Sequence, residues 1–346
     1  MKSVKIILGK WTAAFISAFL VLLAGACESV LFIELEEADR LIVVSGAISN
    51  DSVLSVQVSR TRHILDNASV EPLDKATVTL YRNGTMIEQL SYGWNGFYFT
   101  DHFFPDLNVE YMIEVENAGY ESVSARCEIP DPVQIEAVDT ATVSYEFGDE
   151  YYWGFNEGWL QFDLSLQDPG GEENYYLLNT RVNRSFREWR DTTVVIIDSL
   201  YYGNQWNYFP RDSVYTVFDI SRYMSEPFIN SDDIVVEAVT SQGILFSDKL
   251  IDGTSYSFRG QIFQYELTSA DSAVVDLRLH SISESYYKYL KSRQKHFETK
   301  ENYLAVPVIV FSNVESGTGF LGGFSSDVYT FSTFIPDYYD NYWYYD

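Results

Sequence analysis

Short apolar segments that alternate with polar residues, separated by tight-turn residues, constrain the fold of this chain most strongly. Between residues 41 and 129 these segments follow one another with no helical period between them. Asn83-Gly84 and Asn95-Gly96 interrupt the alternation, and Asn-Gly favours a β-hairpin because both residues adopt positive φ. A period of two is typical of strands that bury one face. The pattern predicts a β-sandwich over residues 41–131, of immunoglobulin-like or transthyretin-like type.

The second half of the chain continues the same period less regularly. Alternating or continuous apolar runs recur at residues 160–166, 275–279 and 308–311, and each is a strand candidate. Pro130-Asp131-Pro132 can continue neither a ladder nor a helix, so we place a domain boundary there. We therefore expect an all-β protein whose second, larger β-rich domain, sandwich or barrel-like, occupies residues 132–335.

One short helix is predicted in the C-terminal half. Ser281-x-x-Glu284 matches a capping box, and apolar or aromatic residues then follow at helical spacing. The basic residues of this segment fall within eight positions and suit the negative end of a helix dipole: Lys288, Lys291, Arg293 and Lys295. No other part of the sequence is as locally basic.

Residues 1–26 have the layout of a secretory signal peptide, with three lysines before an uncharged apolar run. That run, residues 11–25, is short for a bilayer span. It ends in Leu23-Ala-Gly-Ala26 before Cys27, which resembles a bacterial lipobox with the leucine one place further from the cysteine than usual. The resemblance implies cleavage and acylation at Cys27, followed by a tether over residues 27–40. An uncleaved N-terminal anchor is the alternative.

The charge balance excludes several partners. Fifty Asp+Glu against 23 Lys+Arg give a formal charge of −27, which becomes −30 when the three lysines of the signal peptide are removed. Such a charge repels phosphate backbones and anionic lipid, so we expect no nucleic-acid partner and a membrane contact only through the lipid. Acylation of Cys27 would leave Cys127 unpaired, and the alternation around Cys127 predicts a core residue on a strand.

Residues that could carry chemistry are few. The four histidines, at positions 63, 102, 280 and 296, show no metal-ligand spacing, and the sequence contains no nucleophile elbow or phosphate-binding glycine loop. We expect no catalytic residues, no metal and no cofactor. Adjacent acids such as Asp232-Asp233, Glu172-Glu173 and Asp149-Glu150 leave a carboxylate-pair glycoside hydrolase as an alternative to a solvated acidic surface. Residues 168–174 could offer oxygens to calcium, although their spacing matches no EF-hand loop and a plain hairpin turn is the favoured interpretation.

Aromatic residues make up 16% of the chain. Their strand propensity places most of them in sheet cores. Clusters with neighbouring acids could instead form a binding surface, and the tail at residues 336–346 contains no aliphatic residue that would anchor it in a core. The candidate partner or ligand surface comprises Trp206, Tyr208, Tyr338, Tyr339, Tyr342, Trp343 and Tyr344.

Several sequence segments, taken in their order along the chain, resemble the DUF4249 family of Bacteroidota outer-membrane lipoproteins. They include Ser45-Gly-Ala-Ile-Ser-Asn50, the Asn83-Gly84 hairpin, Ser281-Ile-Ser-Glu-Ser-Tyr-Tyr287 and Pro307-Val-Ile-Val-Phe-Ser-Asn313. The resemblance implies a lipid-anchored, cell-surface protein of the outer membrane, without established catalysis, that accompanies a TonB-dependent receptor. We therefore expect a non-enzymatic accessory or ligand-capture partner of such a receptor. A purely structural or adhesive module is a further alternative.

A second resemblance concerns modification. The chain contains tripeptides that resemble the O-glycosylation motif of exported Bacteroidota proteins. This motif is Asp-Ser or Asp-Thr followed by a small aliphatic residue or Thr. The matching tripeptides give these candidate acceptors: Ser52, Thr140, Thr192, Ser199, Ser213 and Ser272. Such tripeptides are also common where a turn leads into a strand. Modification requires an exposed hydroxyl, so a buried Ser or Thr would be excluded as an acceptor.

Overall fold

The computed structural model describes residues 39–62, 70–144, 158–190, 197–202, 205–210, 217–263, 267, 272–300, 306 and 308–334. Within these ranges it describes no side chains for residues 142–144, 158, 186–190, 197–202, 205–210, 217–221, 333 and 334. The predicted signal peptide, most of the tether and the aromatic-acidic tail therefore lie outside the described residues.

Strands dominate the described part of the chain, as the sequence predicts. In chain order they are β1 (Ile42–Ser49), β2 (Ser55–Arg60), β3 (Glu71–Pro72), β4 (Thr77–Arg82), β5 (Thr85–Gln89), β6 (Ser91–Tyr92), β7 (Phe97–Phe99), β8 (Glu110–Glu116), β9 (Val123–Glu128), β10 (Ile135–Ser144), β11 (Gly158–Gln167), β12 (Tyr175–Arg190), β13 (Ile197–Tyr202), β14 (Gln205–Pro210), β15 (Val217–Ser225), β16 (Ile229–Asn230), β17 (Val236–Thr240), β18 (Gly243–Ser247), β19 (Ser255–Phe263), β20 (Ser272–Ile282), β21 (Val314–Glu315) and β22 (Thr318–Phe334). One α-helix, α1 (Glu284–Lys300), and a 3-10 turn (Asp248–Leu250) accompany them.

The strands form one long sheet and smaller ones. The main sheet has the spatial order β17-β18-β12-β20-β22-β1-β2-β7-β6, with β15 beside β12 and β3 beside β2. A second sheet, β21-β9-β8-β4-β5, and a third, β10-β11-β19-β16, each pack against part of the main sheet, while β13 and β14 form a hairpin. The all-β class is confirmed.

Two apolar cores lie on the same face of the main sheet. Leu321 packs in the first core, with side chains of β1, β2, β4, β8 and β9. Phe331, ten positions further along β22, packs against the second core, which fills the space between the third sheet and β12, β18 and β20. Positions an even number apart on a strand face the same side. Phe320 faces the opposite side and packs under α1.

Large aromatic side chains fill both cores. The bulkiest fully buried side chains include Tyr98, Tyr111, Tyr176, Phe162, Phe246 and Phe258. Each buried tyrosine hydroxyl has a partner, as burial of a polar group requires. The Tyr98 hydroxyl donates to the Leu73 carbonyl at 2.7 Å, and the Tyr111 hydroxyl accepts from the Asp106 N–H at 2.7 Å. Cys127 is buried in the first core and unpaired, as predicted, and burial raises the pKa of its thiol.

The Asn-Gly turns form as predicted. Asn83 and Gly84 have φ of 47° and 74° and connect β4 to β5 directly. Asn95 and Gly96 have φ of 48° and 80° between β6 and β7. Positive φ at both central residues matches the right-handed twist of the flanking strands.

The predicted boundary at Pro130–Pro132 lies between β9 and β10, but the main sheet continues across the two halves. β22 pairs in parallel with β1, from Val43 opposite Thr318 to Ser49 opposite Phe324. β21 adds to the edge of the second sheet through β9. The first sandwich is thus completed by residues 314–324 from the end of the chain, and residues 40–346 form one compact unit instead of two successive domains.

The predicted helix exists, but its first turn differs from the capping-box prediction. Ser281 is still part of β20, and its buried hydroxyl accepts from the Val133 N–H at 3.0 Å. Ser283 takes the capping position instead: its carbonyl accepts from Tyr287 N–H at 3.0 Å. Its side-chain oxygen also lies 3.4 Å from the Tyr286 nitrogen. No helix in the described ranges is both long and apolar enough to cross a membrane.

The apolar run at residues 308–311 is not a strand, contrary to the prediction. These residues have no regular secondary structure and pass beside α1. Local propensity favours a strand here, but Val308 and Phe311 bond to His296 and Ser292 of α1 instead of to a neighbouring strand.

Glycine allows β22 to approach β1 closely, which gives a stability prediction. Gly319 has φ of 110°, and a Cβ there would lie 2.0 Å from the Val44 carbonyl oxygen. Gly119 also has positive φ, 87°, but no atom lies within 4 Å of a Cβ built there. We expect Gly119→Ala to lower the free energy of unfolding by about 1 kcal/mol and Gly319→Ala by about 3 kcal/mol or more. Urea unfolding measures both, and equal losses would contradict the importance of this contact.

Candidate functional site

Helix α1 lies on the outer face of the main sheet, opposite the two cores. Tyr286, Tyr287 and Leu290 are buried against Phe320, Leu177 and their neighbours. The Tyr289 ring stacks on Phe320 with ring centres 3.7 Å apart. A Cβ at Gly322 would lie 2.6 Å from the Tyr286 side chain, so a residue without a side chain lets the helix sit directly on β22.

Glu237 on β17 fixes the other side of the helix. Its carboxylate accepts hydrogen bonds from Ser247, Tyr287 and Lys291. Burial alone would raise the pKa of Glu237, but these three donors outweigh it and lower the pKa to about 2. The carboxylate therefore stays ionised, and it joins β17, β18 and α1 through one group.

A pocket of about 270 Å³ opens between α1, β12, β20 and the β17–β18 turn, and we call it the helix pocket. Its apolar walls come from aromatic and aliphatic side chains, and its polar groups from amides, hydroxyls, an imidazole and the carboxylate of Glu226. The lining includes Asn179, Phe228, Gln242, His280, Tyr286 and Phe324. Phe228 is 60% exposed at the rim, so the pocket has an aromatic edge at the surface. A volume of this size fits a small molecule or one side chain of a partner.

His280 is the titratable group most affected by burial in this pocket. Its Nδ1 lies 2.6 Å from the Ser326 hydroxyl, and its ring meets Phe324 edge-on. Burial lowers the pKa of His280 to about 4, so the imidazole is neutral at pH 7. No carboxylate among the described residues hydrogen-bonds to this ring, so the Ser-His pair lacks the third group that orients a catalytic base.

The amides of the pocket are partly engaged with each other. The Tyr286 hydroxyl donates to Gln242 Oε1 at 3.2 Å, and Asn179 Nδ2 donates to the Gln242 carbonyl at 3.2 Å. These bonds hold the β17–β18 turn against the helix and β12. Burial raises the pKa of Tyr286 to about 12, so it remains a neutral donor. The walls thus offer neutral hydrogen-bonding groups and aromatic faces, which suits binding.

Two arginines flank the pocket on neighbouring strands. Arg181 pairs with Glu226 at 3.2 Å, whereas Arg278 comes no closer than 4.0 Å to Asp276. Burial, and secondarily the neighbouring Arg181, lowers the pKa of Arg278. The buried Nε atoms of both arginines have no hydrogen-bond partner. The charge beside the pocket is therefore mixed.

Three carboxylates meet at the 168–174 turn that the sequence suggests for calcium. Oxygens of Asp168, Asp248 and Asp252 lie within 4.8 Å of one another. Asp168 accepts from the Tyr176 hydroxyl at 2.5 Å and the Gly253 N–H at 2.9 Å. Asp248 accepts from the Asn174 N–H at 2.7 Å, and Asp252 from the Gly171 N–H at 3.0 Å. These bonds tie the 168–174 turn to the 248–253 loop, which is what a structural turn requires.

The acid pairs of the hydrolase alternative lie at loop ends. Asp233 accepts from the Tyr256 hydroxyl at 2.5 Å and the Arg259 N–H at 3.0 Å, and Glu173 accepts from the Tyr175 hydroxyl at 2.6 Å. Asp149-Glu150 lies outside the described residues. The geometry of these acids gives no specific support to a glycosidase pair.

Comparison with known proteins identifies the family. Residues 28–330 match a family described as Domain of unknown function (DUF4249). The chain belongs to the DUF4249 family. No curated protein and no solved structure matches this DUF4249 chain significantly.

The structure describes only part of the DUF4249 chain's predicted site residues. Ser52 and Thr140 are exposed and Ser272 is half-buried, so Ser52 and Thr140 meet the requirement for an accessible hydroxyl. Ser199 lies on β13, and Trp206 and Tyr208 lie on β14, but their side chains are not described. The remaining candidates lie outside the described residues: Cys27, Thr192, Ser213, Tyr338, Tyr339, Tyr342, Trp343 and Tyr344. Their roles stay predictions.

Sequence reasoning missed the helix pocket. Its walls come from residues 177, 179, 180, 226–229, 240–243, 280, 286 and 324, which no local pattern connects. One signal was available: His280 follows Leu279 on a strand, so it faces away from the core that Leu279 enters.

The pKa of His280 gives a prediction for stability against pH. The pKa is 6.5 in the unfolded chain and about 4 in the folded one, so the unfolded state binds the proton first as the pH falls. The free energy of unfolding should fall between pH 6.5 and pH 4, and this residue's share should total about 3 kcal/mol. His280→Gln should remove that share, measured by urea unfolding at stepped pH. The exposed His102→Gln is the control, and an unchanged slope in His280→Gln would contradict the assignment.

Proposed function

We propose that this DUF4249 protein is a non-enzymatic lipoprotein of the outer membrane, acylated at Cys27 and exposed at the surface of a Bacteroidota cell. In this proposal it captures a ligand, or a side chain of a partner, beside a TonB-dependent receptor. The helix pocket carries the binding part of the proposal, because it is open to the surface and combines apolar and aromatic walls with a few polar groups. The signal sequence before Cys27 supports the anchor, and the receptor follows from the family resemblance.

A purely structural or adhesive module would need no cleft, so the helix pocket favours capture over that alternative. The arrangement of the pocket also suits an accessory role. It is assembled from β12, β20, α1 and a turn that Glu237 holds in place, so its walls are preorganised before a ligand arrives.

Substitution of Cys27 tests the anchor. Cys27→Ala should leave the protein unacylated and move it from the membrane fraction to the soluble fraction, measured by fractionation and mass spectrometry of the mature N-terminus. Cys127→Ala is the matched control, because Cys127 is buried in the first core and should not affect anchoring. Retention of processed Cys27→Ala in the membrane would argue against the lipoprotein assignment.

Affinity purification from detergent-solubilised outer membranes tests the receptor. The lipidated protein should co-purify with one TonB-dependent barrel receptor at a fixed ratio, quantified by mass spectrometry against an unrelated lipoprotein carrying the same tag. Absence of any such receptor would exclude the accessory role while leaving the anchor untouched.

A further inference from the structure

The apolar segment at residues 308–311, Val-Ile-Val-Phe, lies at the surface, with Ile309 exposed and the other three half-buried, although its composition favours a strand. Ile309 is 90% exposed, and Val306 just before the segment is 82% exposed. These are the highest values for large apolar side chains in the described part of the chain. Exposed apolar surface of this kind marks interaction sites.

Helix α1 holds the segment from one side only. The His296 Nδ1–H donates to the Val308 carbonyl at 2.9 Å, and the Phe311 N–H donates to the Ser292 hydroxyl at 2.8 Å. The segment therefore runs opposite in direction to the helix. The backbones of Ile309 and Val310 form no hydrogen bond with any described residue. As far as the described ranges go, their N–H and C=O groups are therefore free to pair with another strand.

The helix face beside the segment is basic. Lys288, Ser292, Lys295 and His296 share one face through their spacing of four, seven and eight positions. Lys288 Nζ forms an ion pair with Glu284 at 2.7 Å and lies 5.9 Å from the centre of the Phe311 ring, so Lys295 is the less engaged of the two lysines. Lys295 is exposed and forms no ion pair with a described residue. This local positive charge stands on a chain whose formal charge is −27.

We propose that residues 308–311 and the Lys288/Lys295 face of α1 bind an extended, acidic segment of a partner protein by strand addition. The available backbone groups would pair with the added strand, Ile309 would pack against its apolar side chains, and its carboxylates would face the two lysines. A second copy of this chain that docked by the same face fits poorly, because it would bring the same lysines against them. A lipid surface would leave the backbone unpaired. The inference does not depend on the receptor proposal.

Site-specific photocrosslinking in the full-length, lipidated protein tests this. Ile309→benzoylphenylalanine should give an adduct with a protein, and mass spectrometry should map the adduct to an extended stretch rich in Asp or Glu. Ile234→benzoylphenylalanine is the matched control, because Ile234 is 79% exposed. We expect at least fivefold less adduct from position 234.

Charge reversal provides the second arm. Lys295→Glu, alone and with Lys288→Glu, should reduce the Ile309 adduct at least fivefold. The exposed pair Lys75→Glu with Lys249→Glu should not, and circular dichroism would verify that each variant is folded. An adduct with lipid, with a second copy or with a segment lacking acids overturns the proposal. So do equal adducts at positions 309 and 234, an adduct insensitive to Lys295→Glu, and the absence of any adduct.

Discussion

The parallel ladder between β1 and β22 connects the two halves of the protein, and both cores depend on it. Leu321 closes the first core on this ladder, while the rest of β22 pairs with β20 over the second core. The contact requires a residue without a side chain at position 319, because the backbone of β1 lies within van der Waals distance of Gly319. Because the same strand supports α1 on its other face, the pocket depends on the ladder as well.

The outer face of the main sheet is organised by a balance between burial and ionic hydrogen bonding. Glu237 is costly to desolvate, yet three donors keep it ionised, so breaking the network would leave a half-buried charge. Across the helix, the rings of Tyr289 and Tyr286 stack on Phe320. The helix is thus held by charge on one side and by aromatic surface on the other, and the pocket lies where these two kinds of contact meet.

Local features of the fold were predictable from sequence, and its assembly was not. The Asn83-Gly84 hairpin and the helix after β20 follow from turn chemistry and periodicity, which act within a few residues. Ser283 caps the helix instead of the predicted Ser281, because β20 extends through Ser281. The Ser281 hydroxyl accepts from the Val133 N–H, 148 positions away. The parallel ladder and the pocket around His280 join residues separated by dozens to hundreds of positions, and no local rule reports such contacts. The acidic turn at Asp168 is visible in the sequence, but its bonds to Asp248 and Asp252 depend on the same packing between distant segments.

The late position of β22 in the chain also constrains how the protein reaches its native state. The first sandwich contains residues from position 42 onward, yet one side of its core stays open until residue 321 is present. Segments that are made early in synthesis must therefore wait, with apolar strand edges uncovered, until β22 has been made. A chain with this topology is expected to complete its first sandwich only after β22 has emerged, and a polypeptide that stops before β22 would be prone to aggregation.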